Sequence, residues 1–378
     1  MNDVNPATNS PLAAERTATT AFAGASLAAQ YVEQSDATIE HPPKTSDDVP
    51  PAESPNRADV PMSEIEDSLV DLGKVGVAPT KPVAARGMRG AISRLGIHLA
   101  PGIAEQAVLD VLAQFTDDEE TIRQATWVRA ISILVANPKG GVGKTPTALL
   151  LGGVLATVRG GSVCVVEVSD DAGALTYRAE GNPSLGLGEL VRDVDTIAAA
   201  GQLAGYTAPQ TSYASVIGTA GRRRRLTDSD VKAVAGVIDR FYGIRIMDSG
   251  NQPSSAAFSG AIDTADTLVI PTYNAGDAAL EALALLDGLR AAGGHGADLA
   301  GRAIILRLSD GRPENPQVVA RVDRMIDGSG VARAYDIPYD PHIAERGQLT
   351  LGNLAAPTRR AFTAAAAGVI RSLQAAIR

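Results

Sequence analysis

Three things are scarce or missing in this 378-residue chain, and each removes a class of protein. Cysteine occurs once, as Cys164, so a disulfide framework is excluded, and so is an iron–sulfur centre held by several thiolates. Cys164 lies in the apolar run Val163-Cys164-Val165-Val166, where a small buried hydrophobe is its simplest role. No window approaches eighteen uninterrupted apolar residues, and the N-terminus lacks a basic segment followed by an apolar one. A soluble, cytoplasmic protein is expected, with no membrane partner. Positive charge in excess is also absent. The formal net charge is −9, and residues 1–80 account for all of it, with four basic and thirteen acidic residues against thirty of each in the remainder. A neutral body does not advertise a nucleic-acid or membrane surface, so any such surface must be a local patch.

What is present divides the chain into three stretches. Residues 1–80 are rich in Ala, Pro, Ser, Thr and Asp, with Phe22 and Tyr31 as the only aromatics. Such a stretch cannot bury enough apolar surface to offset the ordering of its backbone and reads as a disordered acidic tail. Two islands stand out in it: Thr20 to Gln34, with Phe22, Leu27 and Tyr31, and Ser63-Glu64-Ile65-Glu66, which looks like a capping box before Leu69 and Leu72. Both suit folding on a protein partner, or only fleeting helicity in a solvated tail. Residues 81–127 read as a basic, amphipathic helical linker. Lys81, Arg86, Arg89 and Arg94 alternate there with Met88, Ile92, Leu95 and Leu99 at helical spacing. Docking of that apolar stripe on the body is favoured over contact with DNA or an anionic membrane. Ile103 to Phe115 continues as a second amphipathic helix, and Asp117-Asp118-Glu119-Glu120 reads as the solvated start of a third.

From Val128 the pattern alternates strand and helix, the signature of a parallel sheet covered on both faces. Strands are expected at 131–136, 162–168, 242–248, 267–271, 302–308 and 332–337, with helices at 147–158 and 278–292 and a closing helix at 357–378. Between the first strand and first helix lies Pro138-Lys139-Gly140-Gly141-Val142-Gly143-Lys144-Thr145-Pro146. Glycines at 140, 141 and 143 allow positive φ and leave no Cβ in the way, so backbone N–H groups can turn around phosphate oxygens. The helix N-terminus adds partial positive charge. Lys144 then reaches the β- and γ-phosphates, the Thr145 hydroxyl holds Mg²⁺, and Pro146 sits in the first helical turn, where its missing N–H costs little. Ile244-Arg245-Ile246-Met247-Asp248 is an apolar strand ending in a carboxylate that can hold Mg²⁺ through water, followed by Gly250, whose N–H can sense a γ-phosphate. His98 and His342 have no partners at ligand spacing, so no metal other than Mg²⁺ is expected.

The spacing Lys-Gly-Gly-x-Gly-Lys-Thr resembles the deviant Walker A loop of the ParA/MinD family. That resemblance implies a P-loop NTPase fold of the SIMIBI type over 128–378, ATP as ligand, and slow hydrolysis to ADP and phosphate. It also implies a homodimer formed on ATP binding, in which Lys139 reaches across to the partner's phosphates. Such proteins position or partition DNA, plasmids, chromosomes or other cargo. Ile337-Pro338-Tyr339-Asp340-Pro341-His342, Thr358-Arg359-Arg360, and Leu226 to Asp230 leading to Phe241-Tyr242 look like the MinD/ParA-like proteins associated with type VII secretion systems. The lack of a second phosphate loop disfavours an arsenite-pump-type ATPase, and the lack of a tyrosine cluster disfavours a tyrosine kinase.

Two departures qualify the resemblance, and one charge run stands beside it. Where the family has two aspartates one residue apart, for metal and for attacking water, this chain has Glu167 and Ser169. Glutamate can accept from a metal-bound water, but serine has no charge with which to align a nucleophile. Asp170 or Asp171 substitutes if the strand end shifts; otherwise the chain is a catalytically degenerate scaffold that binds nucleotide and partners. Arg307 stands near the place of an asparagine that bonds adenine. Arg222-Arg223-Arg224-Arg225 offers duplex phosphates a nonspecific, salt-dependent surface, as on the nucleoid, or else is a solvated face answering nearby acids.

Overall fold

The computed structural model describes residues 83–84, 88–89, 92, 95 and 99–376. The tail at 1–80 with its two islands, and Lys81, Arg86 and Arg94 of the linker, lie outside the described residues.

The chain runs through α1 (Ile103–Gln124), β1 (Ile131–Val135), α2 (Lys144–Arg159) and β2 (Val163–Val168). A winding middle segment follows, with α3 (Leu175–Arg178), α4 (Leu187–Asp193), α5 (Ala200–Ala204), β3 (Ala208–Pro209), β4 (Ser215–Ile217) and α6 (Asp228–Ile238). The last third holds β5 (Ile244–Ser249), α7 (Ala256–Thr264), β6 (Thr267–Tyr273), α8 (Gly276–Ala292), α9 (Gly294–Arg302) and β7 (Ile304–Leu308). It closes with α10 (Pro316–Asp327), β8 (Arg333–Ile337), α11 (Pro341–Ala344) and α12 (Ala356–Ala376). The eight strands form one sheet in the order β3-β4-β2-β5-β1-β6-β7-β8. Every neighbouring pair is parallel except the edge pair β3–β4.

Helices on both faces are what strands of this composition require. Every residue of β1 and β2 is buried, and alternate side chains feed two separate cores. Ile133, Val135, Val165 and Ile246 pack with Leu151 and Leu155 of α2 and Phe362 and Ile370 of α12. Leu134, Cys164, Val166 and Met247 pack on the other face with Val234 of α6, Ala257 of α7 and Leu285 of α8. The closing helix thus turns Phe362, Val369, Ile370 and Leu373 inward, as its apolar spacing predicts. Where α2 crosses the sheet the approach is very close, since a Cβ on Gly152 would stand 2.5 Å from Val165 Cγ2. Gly152→Val is therefore expected to lower stability by about 1–3 kcal/mol, read as a lower urea midpoint with an unchanged slope.

Two expectations are corrected. The helix expected over Ile103–Phe115 and the separate one starting at Asp117 are a single element, α1. The acidic run does not start a helix in solvent: Asp117 and Asp118 both accept from Arg371 Nη2 of α12, at 3.0 and 2.9 Å, and Asp118 is buried. Of the linker's apolar stripe, Met88 and Leu95 face solvent at 84% and 82% exposed, while Ile92 and Leu99 are half-buried. The edge strands β3 and β4, two and three residues long, carry too little pattern to be expected from sequence.

The topology also fixes where a ligand can sit. From β1 the chain moves to β2 on one side, whereas β6, β7 and β8 extend the sheet on the other. The crevice beyond the carboxyl end of β1 is the switch point at which open α/β sheets hold ligands.

Candidate functional site

Strand register assembles the floor of this crevice. Val135 and Glu167 flank Asp248 on the neighbouring strands, so the loop leaving β1 starts beside two carboxylates. Asn137, buried, pins the loop: its Nδ2 donates to Pro271 O of β6 at 2.9 Å, and its Oδ1 accepts from the Lys139 N–H at 2.9 Å. The turn then needs glycine, since Gly141 and Gly143 have φ of +79° and +92°. At Gly143 space also forbids a side chain, as a Cβ would lie 2.8 Å from Leu308 Cδ2. Gly143 is the N-cap of α2, and Pro146 follows in the first turn.

Lys144 curls back into the loop it ends. Its Nζ donates to Asn137 O at 2.8 Å, Lys139 O at 3.0 Å and Asn251 Oδ1 at 2.5 Å. Burial lowers its pKa to about 8, against the opposing pull of Asp248. The Thr145 hydroxyl donates to Asp248 Oδ2 at 2.7 Å. Burial pushes the Asp248 carboxyl up to about 7; the Thr145 bond resists this and the negative charge of Glu167 adds to it. Asp248 Oδ1 and Glu167 Oε2 are buried without a hydrogen-bond partner. A hydroxyl and two such carboxylates form a hard oxygen set that suits Mg²⁺.

Lys139 faces the other way. Its Nζ pairs with Asp277 Oδ2, in the first turn of α8, at 2.7 Å, and both side chains are exposed at the rim. Lys139 through Pro146 line one cleft of about 810 Å³ together with Glu167, Ser169, Asp248 and Gly250. Residues after β7 and β8 also wall it, among them Asp310, Arg312, Tyr339, Ile343 and Arg346.

Glu167 is tied into a knot that no local pattern announces. Its Oε1 accepts from Arg223 Nη2 at 2.8 Å, Thr219 Oγ1 at 2.7 Å, the Gly173 N–H at 3.0 Å and Ser169 Oγ at 3.2 Å. Arg223 also donates to the carbonyls of Ser169, Asp170 and Asp171, and its side chain is as buried as that of Glu167. The four-arginine run is therefore not one face. Arg223 is an internal strut; Arg224 pairs with Asp230, and Arg225 with Asp171 at 3.3 Å. Arg222, Arg223 and Arg224 line a separate pocket of about 140 Å³ with Arg192. Neither Asp170 nor Asp171 lines the main cleft.

Arg307 is also displaced from its expected role. It does not line the cleft; its guanidinium pairs with Asp323 of α10 and with Asp336 of β8. Sequence reasoning placed it by its distance along the strand, but successive strand residues face opposite sides, and Leu308 is the one that reaches the loop. Asn137, Asn251 and Asp277 were not anticipated, and Arg223 was expected only as part of a surface run. Only Asn137, next to the loop, carried a local signal.

The raised Asp248 pKa sets a pH dependence. Holding a cation requires the carboxylate, so Mg²⁺ affinity of the metal-free protein should fall as pH drops below about 7. The sign for folding is opposite: a carboxyl whose folded pKa lies above its unfolded value stabilises the fold at low pH, and that contribution is lost as pH rises from about 4 to about 7. Mg²⁺ titration by calorimetry at pH 6 and pH 8, with Asp248→Asn as the flat control, checks the first.

No family model and no curated protein matches the chain. Among solved structures it is similar to a ParA family ATPase from Chlorobium tepidum TLS, at 16% identity over 63% of this chain and 98% of that one, with a TM-score of 0.53. The Pyrococcus furiosus cell division ATPase MinD (17% identity, 64% and 99% covered, TM-score 0.48) and a complex of Cyanothece McdA with ATP (17%, 65% and 97%, TM-score 0.46) are more distant in shape. The chain has the fold of the ParA family ATPases. Among the described residues no helix is long and apolar enough to cross a membrane.

Proposed function

We propose that this protein is a nucleotide-switched dimer of the ParA/MinD type that positions a cargo, DNA or a secretion machinery. ATP enters the cleft with its β- and γ-phosphates in the glycine loop, where phosphate oxygens take over the acceptors that Lys144 now finds in Asn137 O and Lys139 O. Thr145 and Asp248 hold Mg²⁺, which would neutralise charge on the phosphates. Gly250, beyond the Asp248 strand, reads the γ-phosphate. Lys139 leaves Asp277 and crosses to the second protomer's nucleotide. The paired surfaces then bind cargo; Arg222, Arg224 and Arg225 are the arginines of the run exposed to contact phosphates of DNA.

One observation carries this reading. The loop's two lysines are sorted, Lys144 inward among three oxygens and Lys139 outward on an exposed partner at the rim. A lysine serving only its own nucleotide has no need of the rim. Sedimentation equilibrium with and without ATP·Mg²⁺ tests the proposal, and equal dimer content in both would falsify it.

A second reading, a scaffold that binds nucleotide without turning it over, is favoured by the Glu167 knot. The carboxylate that would share the metal is engaged by Arg223 and Thr219, and no charged group stands in the place of Ser169. Steady phosphate release above that of a Lys144→Ala control would remove this reading.

A further inference from the structure

The wall of the cleft holds positive charge that the protein does not neutralise. Arg178, the last residue of α3, is 7% exposed and lines the cleft. Among the described residues its guanidinium makes one hydrogen bond, a long one from Nη2 to Ile343 O at 3.3 Å, and its Nε is buried with no partner. Arg346 lines the same cleft and holds a left-handed backbone, φ +56°, which a non-glycine residue adopts at a cost. The two arginines are near enough for like charge to lower the pKa of Arg178, after burial. Burial and the Asp310 carboxylate push the pKa of the half-buried Tyr273 hydroxyl up, and the charges of Arg346, Arg312 and Arg178 oppose that rise.

The nearby carboxylates are committed elsewhere. Asp310 is held by Arg312 through two hydrogen bonds. Asp340, buried, accepts from the backbone N–H groups of His342 and Ala355, at 3.0 and 2.9 Å. Among the described residues, neither Arg178 nor Arg346 forms an ion pair. Buried charges are paired in folded proteins, because an unpaired one carries its full desolvation cost. A guanidinium with an unpartnered Nε at the wall of a ligand cleft is short of an anion, and its fork matches a phosphate.

We propose that Arg178 and Arg346 form a phosphate clamp on the wall of the cleft, built to take an anionic group of the bound nucleotide. This rests on the nucleotide reading of the cleft. The shared chemistry is a phosphate, either in the polyphosphate chain or on the ribose.

The experiment measures affinities of the full chain for ATP·Mg²⁺, inorganic tripolyphosphate and an ATP phosphorylated on its ribose 3′ hydroxyl. The variants are Arg178→Gln, Arg178→Lys and Arg346→Gln. Arg178→Gln should weaken binding about tenfold, the size of a charge-assisted contact. Arg178→Lys should restore only part, because the fork is lost, and Arg346→Gln should weaken binding less, because Arg346 is exposed. An equal loss for ATP and tripolyphosphate assigns the clamp to the chain phosphates. A loss confined to the 3′-phosphorylated compound assigns it to the ribose. The melting temperature of the ligand-free protein gives the second readout. Removing an uncompensated buried cation should leave it unchanged or raise it, whereas removing a structural strut would lower it. Unchanged affinity for all three compounds, or a lowered melting temperature with affinity intact, overturns the clamp and leaves the nucleotide reading standing. Failure of the unaltered protein to bind any of the three overturns both.

Discussion

Lys139→Ala is expected to abolish nucleotide-dependent dimerisation and to leave nucleotide affinity within about threefold of the parent, since the residue makes no inward contact that a ligand would replace. The Lys139 ammonium lies at the rim on Asp277, not in the floor of the loop. Its removal costs the monomer an exposed pair, which contributes little, and leaves Asn137, Lys144 and Thr145 in place. Lys144→Ala should behave in the opposite way. It removes the cation set among Asn137 O, Lys139 O and Asn251 Oδ1, so affinity should fall by about 10- to 100-fold, and dimerisation should fail as a consequence. The two substitutions thus separate binding from assembly. Asp277→Asn sharpens the distinction, because it weakens the hold on Lys139 without touching the cleft floor; dimers should then form at lower nucleotide concentration. Sedimentation equilibrium paired with nucleotide titration reads all three. Full dimerisation of Lys139→Ala would show that the outward lysine does not make the bridge.

What could be read from the sequence follows the distance over which each contact acts. The strand, glycine loop and helix at 131–159 were legible because each signal is local: an apolar run, glycines where φ must be positive, and a helix that starts at once. The strand ending in Asp248 was legible for the same reason. The partners that give these residues their environment were not. Asn251 meets Lys144 across 107 residues, and Arg223 meets Glu167 across 56. Nothing in a window around either residue records the other. The arginine run shows the cost of reading composition alone. Four adjacent cations look like one patch, yet backbone direction sends the second into the interior and leaves its neighbours on the surface.

That difference makes the largest stability effect expected in this protein. Arg223→Ala removes the cation from a buried pair and leaves the Glu167 charge uncompensated between Thr219 and Gly173. Breaking such a pair costs about 3–5 kcal/mol, a fall in melting temperature on the order of 10 °C for a chain of this size. Arg222→Ala, one residue away and exposed, should stay within about 0.5 kcal/mol of the parent. Adding Glu167→Gln to Arg223→Ala should recover part of the loss, because the double variant buries no unpaired charge; that non-additivity is the mark of direct coupling. The same set bears on the nucleic-acid surface. A DNA affinity that falls in Arg222→Ala and Arg224→Ala, with a shallower salt slope, belongs to exposed phosphate contacts. A fall in Arg223→Ala alone, tracking its melting temperature, belongs to the fold. Equal stability of Arg223→Ala and Arg222→Ala would mean that the Glu167 carboxylate does not depend on this arginine, and would return it to the metal site as a free ligand.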